Sequence, residues 1–283
     1  MEPSLEHLKD WIGRRESDVD EVTAPQVHRL SATLDRDDPK PRPGDPLPAG
    51  WHQLLFPRVA RHALLGSDGH PERGDFLPPV PLPRRMFAGK RTTFHADLRV
   101  GDEVHRESVI RAVSIKQGRT GQMVFVTVRT EMTSPRGLAI TEDQDYVYRE
   151  AAPAGTPPQP PQPAPGKAVW QRIVTPDPVM LFRYSALTFN SHRIHYDRRH
   201  AMDVEGYPGL VVHGPLVATL LLDLLRRQHP EGEVREFTFK ARRPLFDTEP
   251  FSVHGRADSA NQFTLWALDP HGQVAVHASA TIA

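Results

Sequence analysis

The chain has 283 residues, which is enough for two ordinary domains that each bury a core. Its 35 Lys and Arg residues balance 35 Asp and Glu residues, so no overall charge favours nucleic acid or an acidic membrane as a partner. There is no cysteine, which excludes disulfides, thiol catalysis and cysteine-ligated metals.

The N-terminal segment predicts two helices and no targeting signal. It lacks a charged region followed by an apolar one, and the longest apolar run of the chain is too short to span a bilayer, so we expect a cytoplasmic protein without a membrane partner. Residues 21–34 predict a helix with Pro25 near its start. A shorter helix before it, capped by Ser4, would have an apolar face of Leu5, Leu8, Trp11 and Ile12.

The rest of the first half predicts loops followed by an antiparallel sheet. Residues 35–50 carry too many prolines and charges for regular structure, and residues 51–56 have a buried character. The prolines of residues 77–83 keep that stretch extended. Residues 101–102 and 118–121 predict hairpin turns. Strands are predicted at residues 92–98, 103–113, 122–132 and 144–148.

A proline-rich segment divides the chain into two domains. Residues 151–166 contain seven prolines, which predicts a semi-rigid linker without a core of its own. The linker would separate a first domain, residues 1–150, from a second, catalytic domain, residues 167–283. Strands of the second domain are predicted at residues 233–242, 251–257, 262–268 and 274–281.

The two halves share a weak internal repeat. Three residue types recur at one offset of 145, namely Phe94 with Phe239, Ala96 with Ala241, and Asp102 with Asp247. Together with the similar strand order, this favours duplication of one unit in which a sheet surrounds a helix. Nothing in the first half matches the apolar helix of the second, so we expect the central helix of the first half to be short.

The second half is organised around a helix at residues 215–227 that is apolar on almost every face. A soluble protein buries such a helix on all sides, so it requires a sheet around it. Gly214 permits a tight turn before it, and Pro215 suits the first helical position. The start of a helix has unpaired backbone N–H groups and a partial positive charge, so His213 and Gly214 would offer donors to an oxygen that develops negative charge.

The polar loop before this helix resembles the MaoC-like (R)-specific enoyl-thioester hydratases of the hot dog fold. Their motif is Tyr, then Ser-Gly-Asp-x-Asn-Pro-[Ile/Val]-His, and later Gly-x-[Ile/Val]-x-His-Gly. Here Tyr184 precedes residues 188–195, TFNSHRIH, and residues 209–214 read GLVVHG. The spacing of the two catalytic positions is kept, but Asn190 occupies the position of the aspartate, and His192-Arg193 replaces Asn-Pro.

This departure resembles the double hot dog hydratases and dehydratases that act on 3-methylfumaryl-CoA (mesaconyl-C4-CoA), itaconyl-CoA or 3-hydroxyacyl thioesters. The resemblance implies an α+β double hot dog fold, with two antiparallel sheets each wrapped around a central helix. It implies reversible hydration of a short branched dicarboxylyl-CoA to a citramalyl-CoA. The alternatives are a 3-hydroxyacyl-thioester dehydratase of fatty acid synthesis, or a protein that binds acyl thioesters without catalysis.

Hydration requires a base for the water, a proton for the α carbon and stabilisation of an enolate-like oxygen. We assign His195 as the base, Asn190 as the holder of the water, and the Gly214 N–H as the donor to the thioester oxygen. No cofactor is expected beyond the coenzyme A of the substrate, and we expect a monomer or homodimer. Candidates for binding the acyl-CoA substrate are Tyr184, His192, Arg193, His213 and Pro215, with Arg193 as the candidate for a carboxylate.

Two other interpretations involve histidines and basic strands. His192, His195 and His200 allow a metal site, but there is no His-Glu-x-x-His pattern and the segment is not convincingly helical, so no metal is predicted. Lys90-Arg91 and the group Lys240, Arg242 and Arg243 lie on predicted strands at corresponding places in the two halves. They are candidates for binding the phosphates of coenzyme A or for protecting edge strands from aggregation.

Overall fold

One antiparallel sheet of ten strands extends through both halves of the protein. The computed structural model describes residues 5–72, 74–118, 121–150 and 162–283. The strands are β1 (Arg15–Glu21), β2 (Arg84–Phe94), β3 (Glu103–Gly118), β4 (Gly121–Ser134), β5 (Gly137–Arg149), β6 (Trp170–Val174), β7 (Val234–Ala241), β8 (Phe251–Ala257), β9 (Gln262–Leu268) and β10 (Val274–Ile282). The α helices of the described residues are α1 (Ala24–Thr33), α2 (Pro178–Leu187) and α3 (Gly214–Gln228).

The strand order shows that the sheet is built from two equivalent halves. The order is β1-β3-β4-β5-β2 followed by β7-β10-β9-β8-β6, so each half repeats the other in reverse across the β2–β7 junction. At that junction Thr92 pairs with Phe237, which lies 145 residues further along the chain. A two-fold axis requires such pairing of a residue with its own repeat equivalent. The register therefore reproduces the offset of the sequence repeat.

The predicted strands are largely present, but several of their bounds and one turn differ from the prediction. Strands β8 and β9 begin and end as predicted, and the alternation in β4 buries Val124, Val126 and Val128. Strand β2 begins at Arg84 instead of residue 92, because it starts directly after the last proline of the extended stretch. Strand β5 begins at Gly137 instead of residue 144. The turn at residues 101–102 does not close a hairpin, since β2 pairs with β5 and β7 and not with β3.

Helix α3 is buried along most of its length, as its composition predicted. It contacts β6, β8, β9 and β10, and every residue from Leu216 to Leu225 is buried, including Asp223. In the first half, the described residues that the 145-residue offset aligns with α3, within 69–83, form no helix, and a short 3-10 helix at Trp51–Leu54 packs beside α3 instead. Gly50 precedes this turn with φ of 85°, and a Cβ there would lie 2.5 Å from Leu222 Cδ1. Glycine thus lets the short turn approach α3.

The N-terminal helices differ in detail from the prediction. The first is a 3-10 helix, Glu6–Trp11, and Ser4 lies outside the described residues. Leu8 is buried against the sheet of the first half, whereas Ile12 is 47% exposed because the chain turns to an extended conformation there. Helix α1 begins after Thr23, which forms a capping box, because residue 21 still belongs to β1.

Of the predicted linker, residues 151–161 lie outside the described residues.

The proposed roles of Lys90 are both wrong. Its ammonium is buried and contacts the carboxylate of Glu142 at 3.0 Å, and β2 is an interior strand of the sheet. No helix in the described ranges combines the length and apolar character needed to cross a membrane.

Candidate active site

The loop that leaves α2 is shaped by a helix C-terminal motif. Phe189 adopts a left-handed conformation with φ of 50°, and the N–H of Asn190 donates to the carbonyl of Ser185 at 2.8 Å. This 6→1 bond is the closing bond of a Schellman motif. The Asn190 side chain then accepts a hydrogen bond from the N–H of His192 at 3.0 Å. Together the two hydrogen bonds fix the position of the Asn190 side-chain amide at the start of the loop.

His195 is held so that one ring nitrogen remains available as a base. Its Nδ1 lies 2.7 Å from the carbonyl oxygen of Val211, and a carbonyl accepts only, so Nδ1 carries the proton. Nε2 therefore has a free lone pair. Burial lowers the pKa of His195 to about 4, although the Val211 carbonyl favours the charged ring. The ring is thus a neutral base at ordinary pH.

The ring of His195 lies directly beside the start of α3. It stacks on the ring of His213 with centroids 3.6 Å apart and an interplanar angle of 17°. His213 immediately precedes Gly214, whose N–H is one of the first-turn amides that have no acceptor within the helix. His213 is itself fixed by a 2.8 Å hydrogen bond between its Nε2 and Ser185 Oγ. The structure thus brings the base and the helix start together.

Tyr184 offers a buried hydroxyl at the same place. Its ring lies edge-on to His213 with centroids 5.0 Å apart, and its hydroxyl forms no hydrogen bond of normal geometry with the described residues. Burial raises the pKa of this hydroxyl well above its ordinary value, an effect that Thr219 only partly offsets. A buried donor without a partner costs free energy, so a water or ligand bound here would be stabilised.

A cavity of about 280 Å³ opens between the two halves at this site. The second half contributes the predicted Tyr184, Asn190 and Pro215 to its wall. His195 and Gly214 are not part of the wall, although Gly214 directly precedes the wall residue Pro215, and His195 retains 7% of its surface exposed. The first half contributes Gln53, Leu55, Arg58, His70 and Tyr146, none of which the sequence pattern identified.

A loop of the first half, residues 66–71, docks against the predicted catalytic loop. The carbonyl of Asp68 accepts a hydrogen bond from the N–H of Arg193 at 2.9 Å, and the carbonyl of Gly69 accepts one from the hydroxyl of Ser191 at 2.5 Å. Gly69 has φ of 86°, and a Cβ there would lie 2.1 Å from the Ser191 oxygen. Docking therefore requires glycine at this position.

This docking brings His70 to the catalytic loop. The ring of His70 lies 4.0 Å from that of His192, and the ring of His192 lies 5.4 Å from that of His195. Burial, followed by the charge of His70, lowers the pKa of His192 well below its ordinary value. His192 thus connects a residue of the first half with the predicted base.

The structure does not group the three histidines of the metal interpretation. His195 bonds to Val211, while His200 lies 3.9 Å from Glu205. Among the described residues, the ligand-type atoms of Asp68, His70 and His192 come within 4.8 Å of one another. Because Asp68 and His70 already share a hydrogen bond of 3.2 Å, we interpret this group as an acid–base cluster and not as a metal site.

Arg193 is engaged in contacts within the protein. Its guanidinium donates to the Asp197 carboxylate at 2.8 Å and to the Ser67 carbonyl at 2.9 Å. Arg193 therefore stabilises the contact between the two loops, and a substrate carboxylate would have to displace Asp197. Arg58, whose only ion-pair partner among the described residues is Glu16 at 4.0 Å, is less engaged.

The protonation of His195 leads to a pH prediction. We expect the His195 ring to stay neutral until the pH approaches about 4, whereas an ordinary histidine charges near 6.5. The unfolded chain then binds more protons than the folded one between these values, so the stabilisation due to the neutral ring is complete above pH 6.5 and is lost as pH falls towards 4. Two-dimensional NMR of labelled imidazoles measures this titration. His195→Gln identifies the signal, and a midpoint near 6.5 would contradict the assignment.

Comparison with known proteins gave three kinds of match. The family model of hydroxyacyl-thioester dehydratase type 2 matches residues 50–247. Mesaconyl-C(4)-CoA hydratase of Chloroflexus aurantiacus is 46% identical over 95% of this chain and 95% of its own. Among solved structures, a MaoC-like dehydratase superposes with a TM-score of 0.72 at 14% identity, covering 96% of this chain and 98% of its own. A Mycobacterium tuberculosis protein described as a double hot dog superposes with a TM-score of 0.61 at 12% identity, covering 96% of each chain.

Proposed function

The chain belongs to the hydroxyacyl-thioester dehydratase type 2 family and has the double hot dog fold, and from this premise we propose that it hydrates mesaconyl-C4-CoA (3-methylfumaryl-CoA). The predicted family and fold are confirmed, and so is the class of enzyme, a hydro-lyase acting on a CoA thioester. The observation that carries the choice of substrate is the 46% identity to a mesaconyl-C(4)-CoA hydratase along nearly the whole of both chains.

The site residues support this reaction in the following way. Nε2 of His195 takes a proton from water held by the amide of Asn190, and the oxygen attacks the β carbon of the enoyl group. The negative charge that develops on the thioester oxygen is stabilised by the N–H of Gly214 and the dipole of α3. Dehydration uses the same groups in reverse. The reaction needs no cofactor beyond the coenzyme A of the substrate.

The size of the cavity supports a short acyl group. At about 280 Å³ it lies just below the range of about 300–1,000 Å³ that is typical of small-molecule sites. Itaconyl-CoA is also a short branched dicarboxylyl thioester, so the size of the cavity supports it as a substrate equally well. The family description favours a second candidate function, dehydration of a 3-hydroxyacyl thioester, which in fatty acid synthesis would require space for a long apolar chain.

Loss of the ultraviolet absorbance of the enoyl thioester tests the proposal. The panel is mesaconyl-C4-CoA, itaconyl-CoA, crotonyl-CoA and a long-chain enoyl-CoA. We expect the highest kcat/KM for mesaconyl-C4-CoA. Preference for the long-chain ester would instead support the fatty acid dehydratase, and binding without turnover of any ester would support a non-catalytic protein. A cytoplasmic location and a monomer or homodimer stay predictions.

We further propose that Arg58 binds the free carboxylate of the substrate. It is the one Lys or Arg among the described residues that line the cavity, and its side chain is 48% exposed. The distance of 4.0 Å to Glu16 leaves its guanidinium donors largely available. A guanidinium pairs with a carboxylate through two parallel hydrogen bonds, so this residue would distinguish a dicarboxylyl thioester from a monocarboxylyl one.

Replacing Arg58 with glutamine is expected to lower kcat/KM for mesaconyl-C4-CoA by about 10- to 100-fold, because a hydrogen bond to a charged group contributes about 1.5–3 kcal/mol. The value for crotonyl-CoA, which has no free carboxylate, should change less than threefold. Arg61→Gln, an exposed arginine on the same segment, is the matched control. An equal loss of kcat/KM for both esters would show that Arg58 does not bind the free carboxylate of the substrate.

A further inference from the structure

The site as described contains one base for two proton transfers. Hydration takes a proton from water at one position and gives a proton to the α carbon at another, and Asn190 cannot exchange protons. We propose that His70, oriented by Asp68, is a catalytic acid that delivers the proton to the α carbon. This inference rests on the proposed function. It assigns the second proton transfer to the first half of the chain, which the sequence pattern had excluded from the chemistry.

The position of His70 is fixed by backbone contacts and by Asp68. His70 forms part of the cavity wall together with Tyr184, Asn190 and Pro215. Its Nδ1 lies 3.2 Å from Asp68 Oδ2, and its own N–H donates to Asp68 Oδ1 at 2.9 Å. When the ring is protonated, Asp68 accepts from Nδ1–H and Nε2–H is the second N–H donor of the ring. The arrangement is that of an imidazole oriented by a carboxylate, as in catalytic triads.

The surroundings of the two imidazoles favour His195 as the base and His70 as the acid. A carboxylate beside an imidazole favours its protonated form. Burial acts to raise the pKa of the Asp68 carboxyl, but its hydrogen bonds with His70 hold that pKa well below the ordinary value, so Asp68 stays charged. Among the residues that the structure describes, His195 has no carboxylate partner and bonds to the Val211 carbonyl. Two titratable groups whose environments differ in this way are the mark of an acid and base pair.

The step balances without any further reactant. The water O–H bond breaks, its proton goes to His195 Nε2, and the oxygen forms a bond with the β carbon. The π electrons become an enolate whose charge rests on the thioester oxygen. The enolate then takes the proton from His70 Nε2, which forms the α C–H bond and leaves His70 neutral. The proton on His195 returns to His70 through solvent or through His192, whose ring lies between theirs.

His70→Gln tests this assignment in the full-length protein. Glutamine keeps a polar group facing Asp68 but cannot release a proton, and the loop remains docked by the backbone carbonyls of Asp68 and Gly69. We expect kcat for mesaconyl-C4-CoA to fall by roughly 100-fold, the lower end for loss of general acid catalysis, with KM changed less than threefold. His62→Gln, an exposed histidine of the same segment, is the control.

Two readouts separate a catalytic role from a structural one. In the dehydration direction, an α-deuterated substrate should show a larger primary isotope effect with His70→Gln than with wild type, because cleavage of the α C–H bond becomes rate-limiting. In Asp68→Asn, the alkaline limb of the kcat/KM profile should move to lower pH by about one unit. The titratable and charged groups that share the cavity of His70 are Arg58, Tyr146 and Tyr184, and those that interact with its ring are Asp68, His192 and His195, with Arg85 beside His192.

The possible outcomes are distinct. Wild-type activity on mesaconyl-C4-CoA with an unchanged kcat or isotope effect in His70→Gln overturns the assignment and leaves the proposed function intact. Should His70→Gln fail to fold, an unmoved alkaline limb in Asp68→Asn overturns it. Loss of activity on dialysis against EDTA that zinc restores would do the same, since the cluster would then hold a metal. A wild type inactive on every thioester removes the proposed function and this inference together.

Discussion

His195→Ala is expected to reduce kcat for mesaconyl-C4-CoA by about 10⁴-fold, the upper end of what general acid–base catalysis contributes. The large effect follows from the absence of a substitute. Asn190 occupies the position where a carboxylate could have taken the proton, and the Nδ1–H bond to Val211 commits His195 Nε2 to that role. KM should change little, because Tyr184, Pro215 and the start of α3 keep their positions.

The measurement is the initial rate of loss of enoyl-thioester absorbance, with thermal denaturation to confirm that the variant folds. His254→Gln is the matched control, because His254 is 8% exposed, similar to His195, but lies on β8 and bonds to Ser252 at 2.7 Å. Residual activity above one tenth of wild type in His195→Ala would exclude His195 as the base. The base would then have to be sought among the residues of the first half.

The elements that could be predicted are those with a regular apolar pattern. Helix α3 is apolar at almost every position from Leu216 to Leu225, and β8 and β9 have buried apolar residues at alternate positions, such as Phe251 and Val253 or Phe263 and Leu265, so composition and periodicity defined them. Strand β1 could not be found in this way. Its sequence, RESDVDE, is charged and mostly exposed, and it forms because it pairs with β3 along its whole length. Tertiary pairing here outweighs the intrinsic preference of the residues.

The part of the site that could be predicted consists of residues that lie close together in the sequence. Asn190 and His195 lie on one loop, and Val211 connects this loop to the start of α3, because its carbonyl accepts from His195 and its N–H donates to Ile194. The contribution of residues 66–71 to the site could not be predicted. Their sequence is typical of an ordinary glycine-rich turn, and they contact Ser191 only because the two halves pair in the folded protein. The family motif stands in the second half alone, so it gave no indication of His70.

The ion pairs of Asp223 were also not predicted, because the sequence around Asp223 in α3 is almost entirely apolar. Its side chain is 1% exposed, and its carboxylate accepts hydrogen bonds from three guanidinium groups. The donors lie at 2.7 Å on Arg36, 3.0 Å on Arg172 and 2.8 Å on Arg227. Arg172 and Arg227 also donate to the carbonyl of Leu34 at the end of α1, each at 3.1 Å. One carboxylate thus connects α3, β6 and the N-terminal helix.

Replacing Asp223 with alanine is expected to lower the free energy of unfolding by about 3–5 kcal/mol, because three partly buried guanidinium groups lose the charge that compensates them. Asp203→Ala is the control. Asp203 is 69% exposed and lies 4.0 Å from Arg199, and an exposed pair of this kind contributes about 1 kcal/mol or less. Urea denaturation followed by circular dichroism measures both variants.

A loss of less than about 1 kcal/mol in Asp223→Ala would mean that water, and not the carboxylate, compensates the arginines. The expected result has a consequence for the active site. Asp223 lies near the C-terminal end of α3, whereas Gly214 begins it, so the ion pairs anchor the end of the helix that is remote from the substrate. A rigid helix keeps the Gly214 N–H aligned with the base. Asp223→Ala should therefore also lower kcat, but by far less than His195→Ala, because it removes no group from the reaction.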